Sequence, residues 1–286
     1  MTRSTDYKPS AFRLEREAAK VSAARRSVLV AAVSTIAVAA VIYLLLINSP
    51  GWERVQTSFF SAEYAIKSFP KIIDGLWLNL RVMIVAEIFI LLIGLLVALA
   101  RTTKSPVLFP LRVLAAAYTD IFRGLPLLLV ILLLGLGVPA LRIEGLTNSV
   151  VVWGGAALVL TYSAYVAEVL RAGIESVHPT QRMAARALGL SNVQTTRFVV
   201  LPQAIRRVIP PLLNDLVSLQ KDSGLISILG AIDAIKAAGI ITATSFNFTP
   251  YVTAGVVFVM LTIPLARFTD VVTARMNKRQ MQGGVA

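Results

Sequence analysis

The segment RMAARALGLSNVQTTRFVVLPQAIRR, from Arg182 to Arg207, is a basic interruption in a chain that consists largely of apolar stretches. It carries five arginines and contains no cysteine, histidine or acidic residue, so it lacks the side chains that most catalysis needs. A basic segment beside apolar runs is typical of a cytoplasmic loop in a membrane protein. Its composition therefore indicates a mechanical or docking role.

Local signals divide this basic segment into two helices. Thr180 can cap a first helix that begins at Gln181, and Gly189 stands where a left-handed residue ends a helix. Ser191 can cap a second helix that runs towards Pro202. The alanines give the first helix a smooth face, and arginines surround that face. We expect a docking helix for a soluble partner; an ordinary solvated loop helix is the alternative.

The composition of the whole chain indicates a membrane protein. Of its 286 residues, 56% are hydrophobic and 15% are charged, with a mean hydropathy of +0.74. Soluble domains carry about 25% charged residues. The net charge of +13 is spread over short clusters beside apolar runs, which argues against a nucleic-acid partner.

The same composition restricts the chemistry that this chain can carry. Cysteine is absent and His178 is the only histidine, so disulfides and thiolate metal sites are excluded. No glycine-rich loop of the G-x-x-x-x-G-K-S/T type is present. We therefore expect no cofactor on this chain, and any ATP must be bound by another subunit.

Six apolar stretches predict membrane spans, and therefore an all-α integral membrane protein. The third is interrupted by the run Arg123–Pro126, where glycine and proline break regular helix. The predicted spans are Val28–Ile47, Leu76–Ala100, a stretch within Leu111–Leu141, Val150–Leu170, a stretch within Ala204–Ala231 that begins near Pro210 and Pro211, and Tyr251–Leu265.

The distribution of lysine and arginine gives the orientation. The N-terminus, the alternate loops on its side and the C-terminal tail hold 20 of these residues, whereas the opposite loops hold five. This asymmetry places both termini and the basic segment in the cytoplasm. Residues 1–26 are predicted to be a basic amphipathic stretch on the inner leaflet, followed by an uncleaved anchor over residues 27–48.

The spacing within the basic segment resembles the signature of permease subunits of bacterial ATP-binding-cassette (ABC) importers. That family pattern is E-A-A, three residues, G, nine residues, then I-x-L-P. Here the matching positions begin at Met183, where methionine replaces the family glutamate. This replacement removes a carboxylate that could complete a capping box with Thr180. The resemblance assigns coupling to an ATPase to Met183, Ala184, Ala185, Gly189, Leu201 and Pro202.

Further segments resemble the polar amino acid branch of that family. They are RGLPLLL (123–129), TYSAYVAEVLRAGIESV (161–177), LPQAIRRVIPPLLN (201–214) and SLQKDSGLISILG (218–230). The resemblance implies a type I importer permease core over residues 72–279, with a coupling helix over residues 179–190. The anchor is then an addition, and residues 280–286 form a cytoplasmic tail.

The resemblance also implies partners and a location. The chain would pair with a second permease, either a copy of itself or a paralogue, in the bacterial cytoplasmic membrane. Two ATPase subunits would dock from the cytoplasm and use ATP, and an extracytoplasmic binding protein would deliver an amino acid.

Polar residues within the spans are candidates for the translocation path, because a charge at mid-bilayer costs at least about 2.5 kcal/mol. Asn214, Ser218, Lys221 and Asp222 fall on one helical face and offer the donors and acceptors that an amino acid zwitterion needs. The alternative is a Lys221–Asp222 network that only fixes helix packing. Further candidates are Glu87, Tyr162, Tyr165, Glu168 and Arg123, each with a structural role as its alternative.

Two other functions are weighed against an importer subunit. An ion- or proton-coupled secondary transporter needs a path of buried carboxylates, for which Glu87 and Asp222 are candidates, but it leaves the docking motif unexplained. An intramembrane hydrolase needs a nucleophile–base pair or a metal set, which a chain with one histidine and no cysteine does not provide.

Overall fold

The computed structural model describes residues 10–103 and 105–282, and within those ranges it is helical with no β-strand. The described residues divide into two compact units at the boundary between Thr57 and Ser58. The α-helices are α1 (Ala11–Ile47), α2 (Trp52–Phe59), α3 (Ala62–Thr102), α4 (Phe109–Gly124), α5 (Leu127–Leu132), α6 (Val138–Ala140), α7 (Val150–Glu175), α8 (Pro179–Ala187), α9 (Asn192–Thr195), α10 (Leu201–Asp222), α11 (Ala234–Ser245) and α12 (Thr249–Gln282).

The first unit contains α1, which joins the basic stretch and the apolar anchor in one uninterrupted helix of 37 residues. Its part from Ala23 to Ile47 is long and apolar enough to cross a membrane, and its residues are exposed on all sides. A helix that is apolar all round and unburied suits a lipid environment. The predicted anchor therefore lies within α1, whereas the position of the basic stretch on the inner leaflet stays a prediction.

The spans of the second unit are of two kinds. α3, α7 and α12 are each long and apolar enough to cross a membrane alone. Two bent pairs add the others: α4 with the helix Leu127–Ala140, at 104°, and the helix Asn192–Leu229 with α11, at 47°. With α1, the described residues form six spans when each bent pair counts as one, as the sequence predicts.

The break between α4 and α5 lies where the sequence predicts it. Leu125 is extended, with ψ of 138°, because a residue that precedes proline avoids the helical region. Pro126 then caps α5. The predicted start of the fifth span is wrong. The helix α10 does not begin near Pro210 but runs through Pro210 and Pro211, which leave two helical carbonyls without N–H partners.

α3 is the central helix of this unit and packs most extensively against α7. Its buried positions recur every three or four residues, so they form one stripe, and several of them are small. At Gly94 a Cβ atom would lie 2.6 Å from Cγ1 of Val166, so the two backbones approach closely. Close packing of small residues is the main source of helix association in lipid, where apolar burial alone gives little. The stripe comprises Ser68, Ile72, Gly75, Asn79, Val82, Ala86, Ile90, Gly94 and Ala98.

Candidate functional site

The basic segment folds as a short helix, a glycine corner and a second helix. α8 begins at Pro179 rather than Gln181, and His178 is its N-cap: the Nδ1 atom of His178 accepts from the Thr180 amide at 3.3 Å. The predicted cap at Thr180 is wrong because a proline is favoured in the first helical position, where no N–H partner is needed. Gly189 has φ of +82°, which confirms the predicted left-handed corner.

The new helix boundary changes the role of position 183. Counted from His178, Met183 is the fifth helical residue and lies beyond the position that completes a capping box. A carboxylate at this position would therefore not contribute to the cap, contrary to the expectation from the sequence. Met183 is exposed, so its side chain is available to a partner.

The second helix begins as predicted but continues further. Ser191 and Gln194 form a capping box, with Ser191 Oγ accepting from the Gln194 amide at 3.2 Å. A π-helical turn over Thr196–Val200 then leads into α10. Because the wider turn pairs the Leu201 amide with the Thr196 carbonyl, the helix accommodates Pro202 near the start of α10 instead of ending there.

Side chains tie α8 to the two long helices that flank it. Arg182 donates to the Ile174 carbonyl at 2.7 Å, and Arg207 donates to the Ser176 carbonyl, so both arginines satisfy the C-terminal end of α7. Gln203 of α10 is hydrogen-bonded to Gln181 of α8. Near its N-terminal end α8 is therefore attached to α7 through Arg182 and to α10 through Gln181.

The basic segment exposes several large apolar side chains among its arginines, and together they are here called the docking surface. Its apolar members are Met183, Leu188, Val193 and Phe198, and Leu188 is 83% exposed. An exposed patch of large apolar side chains marks a protein interaction site. Of the six motif residues, Ala185 alone is buried, and it faces the protein; Met183, Ala184, Gly189, Leu201 and Pro202 are exposed.

The predicted polar stripe lies on α10, but its members are not equally placed. Asn214 and Lys221 are exposed, whereas Ser218 and Asp222 are half-buried. Asp222 accepts a hydrogen bond from the hydroxyl of Tyr162 on α7 at 2.7 Å. Within the described ranges no ion pair joins Lys221 to Asp222, so the partner of Asp222 is on a neighbouring helix.

Two further carboxylates lie near this stripe. Glu87 of α3 and Asp215 of α10 interact electrostatically, and both are half-buried. The Oδ2 atom of Asp215 is buried without a hydrogen-bond partner in the described part of the chain. An unpaired polar group is costly in a membrane span, and a role of Glu87 in the path stays a prediction.

Glu168 is the centre of an ion-pair cluster between α3, α4 and α7. One of its oxygens lies 2.7 Å from Nη1 of Arg101 and 3.8 Å from Nη1 of Arg123, and the other lies 2.5 Å from Nη2 of Arg171. Tyr165 belongs to the same region, since the Arg123 guanidinium lies 5.9 Å from its ring. The cluster joins three helices, and a role of Glu168 or Tyr165 in the path stays a prediction.

A buried amide–carboxylate network, not singled out from the sequence, joins α3 to the start of α11. Asn79 donates to the Ser223 carbonyl and to Oδ2 of Asp233, both at 3.0 Å, and its own oxygen accepts from the Ala234 amide. Asp233 caps α11 by accepting from the Lys236 amide at 2.8 Å. A lone asparagine in an apolar run and an aspartate that precedes a helix were the available signals.

Comparison with known proteins places this arrangement in a family. The profile described as binding-protein-dependent transport system inner membrane component matches residues 90–278. A Rickettsia conorii protein, assigned by name to glutamine transport as the permease GlnP, is 36% identical and covers 75% of this chain and 98% of its own length. The arginine transport system permease protein ArtQ of Bacillus subtilis is 32% identical, over 72% of this chain and 91% of ArtQ.

A solved structure is similar in its helical arrangement. The crystal structure of an amino acid ABC transporter with histidines superposes with a TM-score of 0.67 at 31% identity, covering 73% of this chain and 96% of that chain. The resemblance to ABC permeases of the amino acid branch, expected from the sequence, is confirmed by these relatives. The chain belongs to the family of binding-protein-dependent transport system inner membrane components, and it is a multi-pass permease subunit of an ABC transporter.

Proposed function

We propose that this permease forms the translocation path for a polar amino acid and that α8 couples the path to separate ATPase subunits. The observation that carries the proposal is the combination of an exposed docking surface with hydrogen bonds that attach α8 to both α7 and α10. A helix that was only a solvated loop would need neither feature.

The attachment gives a route for the coupling. A partner that pushes on Leu188 moves α8, and α8 carries the end of α7 with it through the Arg182 contact. α10 follows because it continues from the same segment and bonds to α8. Since α7 and α10 also hold the Tyr162–Asp222 pair, their movement changes the half-buried polar face along which a substrate would pass.

The partners follow from this assignment. Two ATPase subunits bind and hydrolyse ATP, a second permease completes the path, and a binding protein delivers substrate from outside. The location is the bacterial cytoplasmic membrane. Because the motif carries methionine at 183, the docking contact relies on apolar packing against Met183 and Leu188 rather than on a carboxylate.

A polar amino acid is the substrate class that the relatives and the path residues support. The relatives are named for glutamine and arginine, and the solved structure for histidines. In this chain Asp222, Asp215 and Glu87 supply acceptors for an α-ammonium group, and Lys221 and Asn214 supply donors for a carboxylate. The side chain of the substrate is selected mainly by the binding protein.

The test of coupling is the ATPase activity of the reconstituted transporter with its binding protein. Leu188→Asp puts a charge on the docking surface and is expected to lower substrate-stimulated ATPase activity more than tenfold. The matched control is Val107→Asp, since Val107 is 85% exposed and is predicted to lie on the same side of the membrane. Normal stimulation in the Leu188→Asp variant would exclude α8 as the coupling helix.

The test of the path is uptake of labelled glutamine, arginine and histidine into proteoliposomes. Asp222→Asn and Lys221→Met are expected to lower uptake while leaving complex assembly intact, because neither residue is fully buried. Normal uptake in both variants would make the stripe structural. Uptake that needs a proton gradient rather than ATP would instead support a secondary transporter.

A further inference from the structure

Two cavities on the surface of α3 share Arg81. The first lies between α3 and α7, has a volume of about 540 Å³ and is apolar apart from Arg81. Its walls include Val82, Val85 and Phe89 of α3 and Gly155 and Val159 of α7. The second, also about 540 Å³, is lined by Asp74, Trp77 and Arg81 together with aliphatic side chains. The apolar cavity therefore adjoins a second cavity that is lined by an aspartate, an arginine and a tryptophan.

The position of Arg81 along α3 places this pair of cavities at a membrane interface. Arg81 lies 20 residues before Arg101, which is about 30 Å along a helix and equals the thickness of the hydrocarbon core. Arg101 is predicted to lie at the cytoplasmic end, so Arg81 lies at the outer one. Trp77 and Trp153 are near the same end, as expected for an interfacial aromatic belt.

The depth of the apolar cavity corresponds to one leaflet. From Leu78 to Phe89 the cavity follows 11 residues of α3, or about 16 Å, and from Val151 to Leu160 it follows nine residues of α7, or about 14 Å. Half of the hydrocarbon core is about 15 Å. The cavity thus extends from the outer interface towards the middle of the bilayer and ends there.

The two charged residues that line these cavities, Asp74 and Arg81, are available to a ligand. Neither Asp74 nor Arg81 forms an ion pair within residues 10–103 and 105–282. The Arg81 guanidinium rests over the ring of Trp77, 5.7 Å from its centre, which holds it at the boundary between the two cavities. Asp74 lies two helical turns before Arg81 and therefore on the same face.

We propose that these cavities bind one phospholipid of the outer leaflet with a zwitterionic aminophospholipid headgroup. Its phosphate contacts Arg81, its ammonium group contacts Asp74, and one acyl chain lies in the apolar cavity between α3 and α7. The charges select this occupant. The guanidinium of Arg81 matches the geometry of a phosphate, and Asp74, further towards the outer side of the membrane, offers an acceptor for the ammonium group. A partner helix would fill the apolar cavity but would leave both charges unmatched. The site is independent of the substrate that the transporter carries.

The test uses full-length permease in nanodiscs that contain equal amounts of phosphatidylethanolamine and phosphatidylglycerol, followed by native mass spectrometry of retained lipid. Arg81→Gln is expected to lower phosphatidylethanolamine retention at least about tenfold, because a charged hydrogen-bond partner is lost. Gly155→Leu puts a bulky side chain into the cavity and is expected to do the same; a Cβ at this position meets only Cγ1 of Val82, at 3.8 Å, so the backbone there has room for a side chain. Lys67→Gln is the control, since Lys67 is an exposed cation on the same helix that lines neither cavity.

Three results would overturn the proposal. One is retention of phosphatidylethanolamine at the wild-type level in both the Arg81→Gln and the Gly155→Leu variants. Another is a disulfide between two copies of a Val85→Cys variant, which the cysteine-free chain makes easy to interpret, because it would show that a second copy occupies the cavity. The third is equal retention of both lipids by the wild type, which would contradict the role of Asp74.

Discussion

Replacing Gly75 with alanine probes the junction that holds α11 against α3. A Cβ atom at this position would lie 2.3 Å from the carbonyl carbon of Asp233 and 2.4 Å from the amide nitrogen of Ala234. Both neighbours are backbone atoms, so no side chain can rotate away and one helix must move. That movement also disturbs Asn79, one turn along α3, which makes three hydrogen bonds to the same junction.

The expected cost combines two terms. Overpacking of a tight contact costs about 1–3 kcal/mol. Weakening the Asn79 hydrogen bonds adds about 1–2 kcal/mol. Together they lower the free energy of unfolding by about 2–5 kcal/mol, which corresponds to a fall of roughly 5–15 °C in the unfolding midpoint.

The assay is thermal unfolding of the purified permease in detergent, followed by tryptophan fluorescence. Gly155→Ala is the matched control: it is also a helix glycine in a span, but its Cβ has space, so the midpoint is expected to stay the same or rise slightly. A Gly75→Ala variant whose unfolding midpoint lies within about 2 °C of that of the control would show that the packing argument is wrong.

Three further changes test single contacts. Tyr162→Phe removes the hydroxyl that donates to Asp222, and we expect amino acid uptake into proteoliposomes to fall severalfold while assembly on size-exclusion chromatography is unchanged; unaltered uptake would refute a role of that bond in transport. Glu168→Gln leaves three arginines without their shared carboxylate, so the unfolding free energy should fall by about 1–3 kcal/mol, and an unchanged midpoint would refute the cluster as a stabilising element. Met183→Glu should leave the unfolding midpoint unchanged, because this position lies outside the cap, and a rise would show that the helix begins later than His178 indicates.

Features set by local chemistry were predictable from the sequence. Gly189 ends α8 because glycine adopts positive φ without strain, and Pro126 breaks the third span because it forces Leu125 to be extended. The apolar spans were recognisable because length and hydropathy alone define them. The error at Thr180 was also local: Pro179 was taken as preceding the helix, although proline is well suited to its first position.

Features set by tertiary contacts were not predictable. The Asn79–Asp233 bond joins residues that are 154 positions apart, and no pattern in the sequence indicates that pairing. Likewise, Lys221 and Asp222 are adjacent and of opposite charge, yet Asp222 pairs with Tyr162, 60 positions away. Adjacent helical residues point in different directions, so sequence proximity did not determine the partner.

The glycine corner offers the most direct test of the claim that α8 transmits the ATPase movement. Gly189 has φ of +82°, which asparagine tolerates and valine does not. The measurement is substrate-stimulated ATPase activity of the reconstituted transporter carrying Gly189→Asn or Gly189→Val. We predict that the asparagine variant keeps stimulation within about twofold of the wild type, whereas the valine variant loses about tenfold or more, because a strain of about 1–2 kcal/mol displaces the docking surface. Normal stimulation of a correctly assembled Gly189→Val transporter would contradict the account.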